Sequence, residues 1–466
     1  MKRMIFFLTV VSLAMVQQSY SQSPSKVLTF EDAVNIAMKN SVLLNTQRNN
    51  LELSQMQKMS SRASAGPNVQ VNGSLYQVNG NSFNNQTGKL VNGVRDAMTG
   101  SISANMNIFS GFNRINLIKQ FSNQLDAQSY FVNRTAQDVI NTVGIQYLTV
   151  MLDVELMKIA FENWEALKKQ LEQIKEQVSL GARSPVDEYN QDAQTKAAEL
   201  RYVQAEILLN NDKALLVQTL LMDPFEQFEV ERPNWDMNVV GKENLNPEEL
   251  ADKAKQYRGD YLRAVKNEEG LRYGMRAAKG LMMPNLSAFA NYGSAYNYQH
   301  GIPQTVDSSG VDIPNKDYPK PFKDQFRTNN VYKNYGLQLT IPIFNGLQNR
   351  QAFTQQKVLY ENSQQTRKNL EYQIRNDVAR TVRNYEGAKK AFSITTDQLK
   401  AAEIAFGLEK DRFELGVTSF VDYYNANRVY VQAQTDKAQA EYRLVFQKIL
   451  IEYAVGTLKP EDLQQQ

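Results

Sequence analysis

Few residues of this chain could perform chemistry. The 466-residue sequence contains one histidine, His300, and no cysteine. A single imidazole cannot build a histidine metal site or a catalytic histidine pair, and without thiols there is no disulfide, thiolate metal site or cysteine nucleophile. No glycine-rich phosphate loop follows a predicted strand, so nucleotide binding has no support. The sequence therefore predicts no enzyme, no cofactor and no metal site.

Two carboxylates stand out because their surroundings are duplicated. Residues 180–187, LGARSPVD, recur 235 residues later at 415–422 as LGVTSFVD. In each copy Leu-Gly is typical of a helix end and serine caps the next helix, which places Asp187 and Asp422 in its first turn. There the helix dipole favours an acid. Several copies around a pore would instead form a carboxylate ring that selects cations. Both interpretations stay open.

The duplication extends over the whole chain. Residues 108–111, IFSG, recur at 343–346 as IFNG, again 235 residues later. The Pro-Asn pair at 67–68 recurs at 284–285, an offset of 217. Each half is therefore predicted to fold into the same unit. The difference between the offsets places an enlarged loop in the second half, around 300–323, which is rich in Gly, Pro, Asp and Ser.

The first residues have the pattern of a secretory signal peptide. Lys2 and Arg3 precede an apolar stretch at 4–16, and small residues at 19 and 21 predict cleavage before Gln22. An uncleaved membrane anchor is the alternative, but a spanning helix needs about 20 apolar residues. No later segment is predicted to span a membrane as a helix.

Four segments alternate between apolar and uncharged polar residues: 68–78, 100–109, 285–298 and 335–343. Period-two alternation indicates strands. Their polar positions carry Ser, Asn, Gln and Thr, where a soluble sheet normally carries Lys and Glu. Strands of about 9–11 residues cross a bilayer when tilted. The sequence predicts membrane strands, with a soluble sheet as the alternative.

Most of the remaining chain is predicted to be helical. Between 125 and 178 the apolar positions recur at close to 3.5 residues, the coiled-coil period. Two long helices are predicted at 113–184 and 347–415. A return helix follows each, at 186–221 and 421–455, and single helices at 30–63 and 248–279 open the two halves.

These elements give the following domain organisation. A signal peptide at 1–21 precedes the first repeat, 22–222, with its hairpin at 68–109. A linker at 223–246 leads to the second repeat, 247–456, with its hairpin at 285–343, and a disordered tail occupies 457–466.

Four strands cannot close a barrel, and an open sheet edge is not tolerated in lipid because each unpaired backbone group costs several kcal/mol. The chain is therefore predicted to oligomerise. Two copies would give eight strands with a filled interior, whereas three would give twelve and room for a lumen. The predicted fold class is a mixed α/β membrane protein.

The order and duplication of these motifs resemble the outer membrane efflux protein family, the TolC-like trimeric channel-tunnels, over essentially the whole mature chain. The resemblance implies a homotrimer with a 12-stranded β-barrel in the outer membrane. A coiled-coil α-helical barrel would continue it through the periplasm. The implied partners are a periplasmic adaptor (membrane fusion) protein and an inner-membrane pump. No basic stripe suggests nucleic acid, since the net charge is only +3.

The resemblance also assigns roles to residues in this sequence. The two turns would be the adaptor-docking tip, formed by Leu180, Gly181, Ala182, Arg183, Ser184, Leu415, Gly416, Val417, Thr418 and Ser419. The pore aperture would be formed by Asp187, Asp422, Tyr423, Tyr424 and Asn425. Asn425 stands where some family members carry a second acid.

The aperture departs from the family in one further respect. Phe413 and Thr418 replace a tyrosine and an arginine that latch the aperture in other members. We therefore expect this tip to close by apolar packing that involves Tyr423 and Tyr424.

The predicted function is a passive exit duct of a tripartite efflux or type I secretion system. The alternative is a soluble periplasmic coiled-coil scaffold. The sequence does not distinguish efflux from secretion, because in such systems the adaptor and pump select the cargo.

Overall fold

The computed structural model describes residues 26–84, 89–226, 228–232, 245–300, 305–306, 312–313 and 321–459. The predicted signal peptide at 1–21 lies outside the described residues. The same holds for most of the linker and of the loop around 300–323.

The described helices of the second half match those of the first half in length. The helices are α1 Phe30–Asn40, α2 Val42–Ala63, α3 Asn113–Ser179, α4 Pro185–Leu220, α5 Pro247–Tyr257, α6 Gly259–Gly280, α7 Phe322–Asp324 (continued by a π-helix, Gln325–Asn329), α8 Gln348–Glu414 and α9 Phe420–Val455. Corresponding helices have 11, 22, 67 and 36 residues in both halves. The long and return helices lie where the sequence predicted them.

The opening helix of each half is interrupted, whereas the sequence predicted continuous helices at 30–63 and 248–279. Ser41 and Arg258 stand at the interruptions with ψ of 116° and 115°, far from helical values. Arg258 is buried and its guanidinium pairs with Asp377 at 3.4 Å. This break serves a tertiary contact, which the local hydrophobic pattern does not encode.

The described strands are β1 Lys26–Leu28, β2 Asn68–Asn84, β3 Lys89–Ser110, β4 Phe228–Val230, β5 Asn285–Gln299, β6 Thr305–Val306, β7 Asp312–Ile313 and β8 Tyr332–Thr340. The four predicted strands form one antiparallel sheet in the order β2-β3-β5-β8. β8 ends at Thr340 rather than at the predicted Ile343, because Pro342 has no N–H to donate to the ladder.

The chain divides into two compact units. The strand unit comprises Arg48–Phe131 and Asp260–Glu371 and contains the four-stranded sheet. The helical unit comprises the chain up to Gln47, Val132–Gly259 and the chain from Tyr372 onward.

One face of the four-stranded sheet is apolar and exposed. Val71, Ile102 and Tyr292 lie side by side on β2, β3 and β5, and they are 76%, 47% and 50% exposed. The next register positions, on the opposite face, are occupied by Asn72 and Ser101. This alternation is the pattern of a strand with one face in lipid and the other toward a polar interior.

The core of the helical unit lies around Tyr147. Its ring is fully buried, and its hydroxyl is 2.8 Å from the carbonyl oxygens of Leu28 and Glu231. β1 pairs in parallel with β4 beside it, and Phe228 is buried in the same cluster. Leu458 is buried there too, so the predicted disordered tail does not begin at 457. Residues 460–466 lie outside the described residues.

One apolar stretch of α3 is long and apolar enough to span a membrane by length and composition, contrary to the sequence prediction. Its residues Val143 and Val150, however, are completely buried in the core around Tyr147. We therefore attribute the apolar stretch to core packing.

Asp153 on α3 makes stability depend on pH. Its side chain is buried, and its Oδ2 atom has no hydrogen-bond partner among the described residues. Burial, and then the neighbouring carboxyl of Asp212, raise the pKa of Asp153 to about 7 from 3.8. Between these values the folded protein holds a proton that the unfolded chain has released. The stabilisation is therefore complete below about pH 4 and is lost as the pH rises through about 7.

We expect the thermal unfolding temperature to fall between about pH 4 and pH 7 because of this group. Asp153→Asn should remove that component, since an amide does not titrate. The exposed Asp252 provides a control, and Asp252→Asn should leave the pH profile unchanged. Differential scanning calorimetry at a series of pH values measures all three proteins. Identical profiles for the parent and Asp153→Asn would contradict the assignment.

Candidate functional site: the two helix-to-helix turns

The first turn, 180–184, joins α3 to α4, and the second turn, 415–419, joins α8 to α9. Both close in the same way. Gly181 and Gly416 each have φ of +73°, a conformation that other residues resist. In each turn the next N–H donates to the carbonyl five residues back, at 2.8 and 2.9 Å, which is the hydrogen bond of a Schellman motif. The glycines therefore set the backbone of both turns.

The serines begin the return helices as predicted. The Ser184 hydroxyl accepts the N–H of Val186 at 3.3 Å, and the Ser419 hydroxyl accepts the N–H of Asp422 at 3.3 Å. Ser419 also donates to the Asp422 carboxylate at 2.6 Å. Reciprocal bonds of this kind resemble a capping box and fix the angle between turn and helix.

The outer surface of both turns is apolar. Leu180 and Leu415 are 75% and 78% exposed, and Val417 is 66% exposed. The nearby Val186 and Val421 are also exposed. A Cβ added to either glycine would meet no described atom within 4 Å other than those of its two chain neighbours. Exposed leucine and valine beside bare glycine backbone form a surface suited to a partner's side chains.

Arg183 joins the first turn to the helix that precedes the second. Its guanidinium lies 4.0 Å from the centre of the Phe413 ring, and its Nη2 donates to the Phe413 carbonyl oxygen at 3.3 Å. The guanidinium therefore packs on an aromatic face within the chain, and Arg183 positions the two turns relative to each other.

Aromatic side chains fill the space behind the second turn. Phe413 and Tyr423 are buried and stacked, with ring centres 4.7 Å apart. Phe406 continues the column, and Phe420 stacks on Tyr424 at 6.3 Å. Burial, and then the charge of Glu414, raise the pKa of the Tyr423 phenol. Tyr423 thus packs within its own chain, while Tyr424 is only half-buried.

The predicted aperture acids have different surroundings. Asp422 is exposed, and its carboxylate accepts hydrogen bonds from Ser419 at 2.6 Å and Thr418 at 3.4 Å. It therefore supports the helix cap that Ser419 forms. Thr418 also donates to Glu409 on α8. Asp187 is half-buried, and Asn425 is exposed.

Two polar residues behind the turns were missed by the sequence analysis. Asn427, which is buried, donates to Asn163 on α3 at 3.1 Å. Gln191 is completely buried and donates to the Leu167 carbonyl oxygen at 2.9 Å. A polar residue on an otherwise apolar helix face was their only sequence signal. Among the described residues there is no group of three or more His, Cys, Asp or Glu that could hold a metal ion.

Arg183→Ala should loosen the second turn. Loss of a hydrogen bond and a cation–π contact removes roughly 1–2 kcal/mol of local stability. We expect amide hydrogen exchange at 413–417 to accelerate about 5- to 30-fold. Arg412→Ala is the matched control. The Arg412 side chain is exposed, so its ion pair with Glu409 contributes little to stability. Equal exchange in the two variants would contradict the positioning role.

The chain thus combines a four-stranded sheet, two 67-residue helices and two matched turns. Residues 250–457 match the family model described as Outer membrane efflux protein. Outer membrane protein TolC of Vibrio cholerae serotype O1 is 20% identical over 329 residues, which cover 71% of this chain and 70% of that protein.

Solved structures show the same fold. The outer membrane protein VceC of Vibrio cholerae has a TM-score of 0.75 and 14% identity, covering 92% of this chain and 96% of its own. The CmeC outer membrane channel of Campylobacter jejuni also has a TM-score of 0.75 and 14% identity, covering 93% of this chain and 88% of its own.

These matches confirm the resemblance to the outer membrane efflux protein family. They also confirm the predicted location in the outer membrane with the helical part in the periplasm. The matched descriptions are of efflux proteins, outer membrane proteins or channels, and on that ground the prediction that the chain is not an enzyme is confirmed.

Proposed function

We propose that this protein is the outer-membrane duct of a tripartite efflux or type I secretion system, a passive channel that opens to the outside. Three copies form a 12-stranded barrel, and each chain is a two-fold structural repeat. The observation that carries the proposal is the four-stranded sheet. It has an exposed apolar face, and each of its two edge strands is paired on one side only.

The sheet supports a trimer through its edges. β2 and β8 are the outer strands, and each pairs on one side only within the described sheet. In lipid the other side must also be paired. β2 of one copy and β8 of the next satisfy this need, and three copies close a ring wide enough for a lumen.

Matching helix lengths support the repeat. The starts of the two long helices are separated by 235 residues, as are the starts of the two return helices. The positive φ angles of Gly111 and Phe112 recur at Gly346 and Leu347 with the same offset. Both strand-to-helix junctions therefore have the same backbone conformation.

The turns support docking of a periplasmic adaptor that is itself joined to an inner-membrane pump. Leu180, Leu415 and Val417 supply apolar contact area, and the glycines allow close approach of a partner helix. Asp187, Asp422 and Asn425 line the aperture in this proposal, with Tyr424 beside them. Tyr423 supports the aperture from within the chain by stacking on Phe413.

Conductance of the purified protein in planar bilayers tests the duct and its aperture. In a KCl gradient we expect a cation-selective reversal potential, because carboxylate rings attract cations. Asp187→Asn combined with Asp422→Asn should move that potential toward zero, whereas Asp252→Asn should not. A protein without any conductance would overturn the duct. Conductance with selectivity that none of these changes alters would overturn the aperture assignment alone.

A further inference from the structure

The segment 321–330 caps a free edge of the sheet. Pairing between β5 and β8 ends at Gly293 opposite Tyr332, while β5 continues to residue 299. Beyond that point the side chain of Gln325 accepts the N–H of Asn297 and donates to its carbonyl oxygen, both at 3.2 Å. The side chain of Asn330 donates to the Ala295 carbonyl oxygen at 2.7 Å. Amide side chains thus replace a missing strand.

This attachment places two phenylalanines on the sheet. Phe322 and Phe326 stack with ring centres 5.1 Å apart, and Phe322 packs on Tyr296 at 5.3 Å. The Phe326 ring lies over Gly100 on β3, where even a methyl group would be crowded by the ring. Gly100 thus provides the space that the ring occupies.

The phenylalanines cover the apolar face of the sheet. Gly100 lies on the same face as Met98 and Ile102, which are paired with Tyr296 and Tyr292 of β5. This is the face that is directed to lipid in the proposed barrel.

Polar residues mark where that apolar face ends. Asp96 lies two residues before Met98 and on the same face. Its carboxylate accepts a hydrogen bond from Gln77 at 2.7 Å and lies 2.8 Å from His300. This is the hairpin-tip end of the sheet, because the strands join the helices at the other end. The phenylalanines therefore lie between the apolar band and the first polar residues, the level at which barrel proteins carry aromatic girdles.

Exposed cations are close to the aromatic pair in sequence or in strand register. Lys323 and Arg327 each follow one of the phenylalanines and are exposed. Lys333 is exposed on β8, opposite Tyr292 in the register. Asp324 is the one acid within 321–330. Within 321–330 two cations thus stand against one carboxylate, and the segment has a net positive charge.

We propose that the segment 321–330 binds the anionic headgroup of a lipid in the outer leaflet, with Phe322 and Phe326 in the interface and Lys323 and Arg327 on the phosphate. The proposal rests on the proposed membrane barrel. Its ligand is a membrane lipid, since the aromatic pair continues the lipid-facing side and the charges are complementary to a phosphate.

Tryptophan fluorescence tests the placement. Phe326→Trp and, as a reference for insertion, Val71→Trp are each reconstituted in vesicles of phosphatidylcholine with brominated acyl chains, and the parent emission is subtracted. We expect both new tryptophans to be quenched by bromine and neither by aqueous iodide. Quenching at 71 with iodide quenching at 326 would overturn the inference alone. Absence of bromine quenching at 71 would instead contradict the membrane barrel.

The headgroup is tested by adding brominated phosphatidylglycerol. Quenching of the tryptophan at position 326 reports which brominated lipid is bound beside it. We expect phosphatidylglycerol to be preferred over phosphatidylcholine there by about fivefold for each cation near the surface. Lys323→Gln combined with Arg327→Gln should lower this preference at least fivefold. Lys400→Gln combined with Arg443→Gln removes the same charge from the helical unit and should leave it unchanged. An equal preference in both double variants would overturn the proposal.

Discussion

Replacing Gly181 and Gly416 together by phenylalanine is expected to abolish export while trimers remain in the outer membrane. At φ of +73° a side chain costs roughly 1–2 kcal/mol per site. A Cβ added to either glycine meets nothing within 4 Å beyond its own chain neighbours, so folding should survive this cost. The new rings would project from the surface proposed for adaptor docking. Loss of a docking hot spot costs about 2 kcal/mol or more, equivalent to about 30-fold in affinity.

Two control variants separate docking from backbone strain. Asparagine tolerates the left-handed conformation, so Gly181→Asn with Gly416→Asn should retain most export. Gly387→Phe adds the same ring to the exposed side of α8, where an added Cβ also meets nothing within 4 Å, and should export normally. Export is measured as efflux of a fluorescent substrate from cells, with trimers followed on mildly denaturing gels. Normal export by the double phenylalanine variant would remove the docking proposal.

Val71→Arg is expected to prevent assembly in the outer membrane. Val71 is 76% exposed on the apolar sheet face, so in water this substitution would be nearly neutral. In lipid an arginine on the outer face of a barrel costs up to about 2–4 kcal/mol, depending on its depth. Three copies per barrel would multiply that cost. We therefore expect membrane-inserted trimers to fall by at least tenfold.

Its neighbour provides the matched control. Asn72 lies on the opposite face of the same strand, and Asn72→Arg should assemble normally and alter only conductance. Density-gradient separation of outer membranes measures both variants. If Val71→Arg and Asn72→Arg assemble equally well, the sheet is not a membrane barrel, and the soluble scaffold becomes the better account.

Much of this architecture could be predicted from the repeated motifs. The recurring Leu-Gly and Ser-x-x-Asp residues predicted both turns and the helices on either side, because capping and left-handed glycine are local effects. Alternation predicted the four strands for the same reason. The hairpin of β2 and β3 is longer than predicted, since its outer part, rich in Asn and Gly, lacks a clean alternation.

The features that sequence analysis missed depend on contacts between distant residues. The helix break at Arg258 accompanies the pairing of its buried side chain with Asp377, and the packing of Arg183 on Phe413 joins residues 230 apart. The segment 321–330 was not predicted as a helix or a strand. It is held in place by amide side chains that bind the backbone of β5, a contact without a local sequence pattern. None of these contacts leaves a periodic signal in the sequence.

The molecular mass of the detergent-extracted outer-membrane species, measured by light scattering with correction for bound detergent, tests the central claim most directly. The account predicts the mass of three chains, because four strands per chain close a barrel with a lumen only when twelve are joined. A water-soluble monomer would contradict it, since the exposed apolar face of the sheet would then belong to a soluble scaffold.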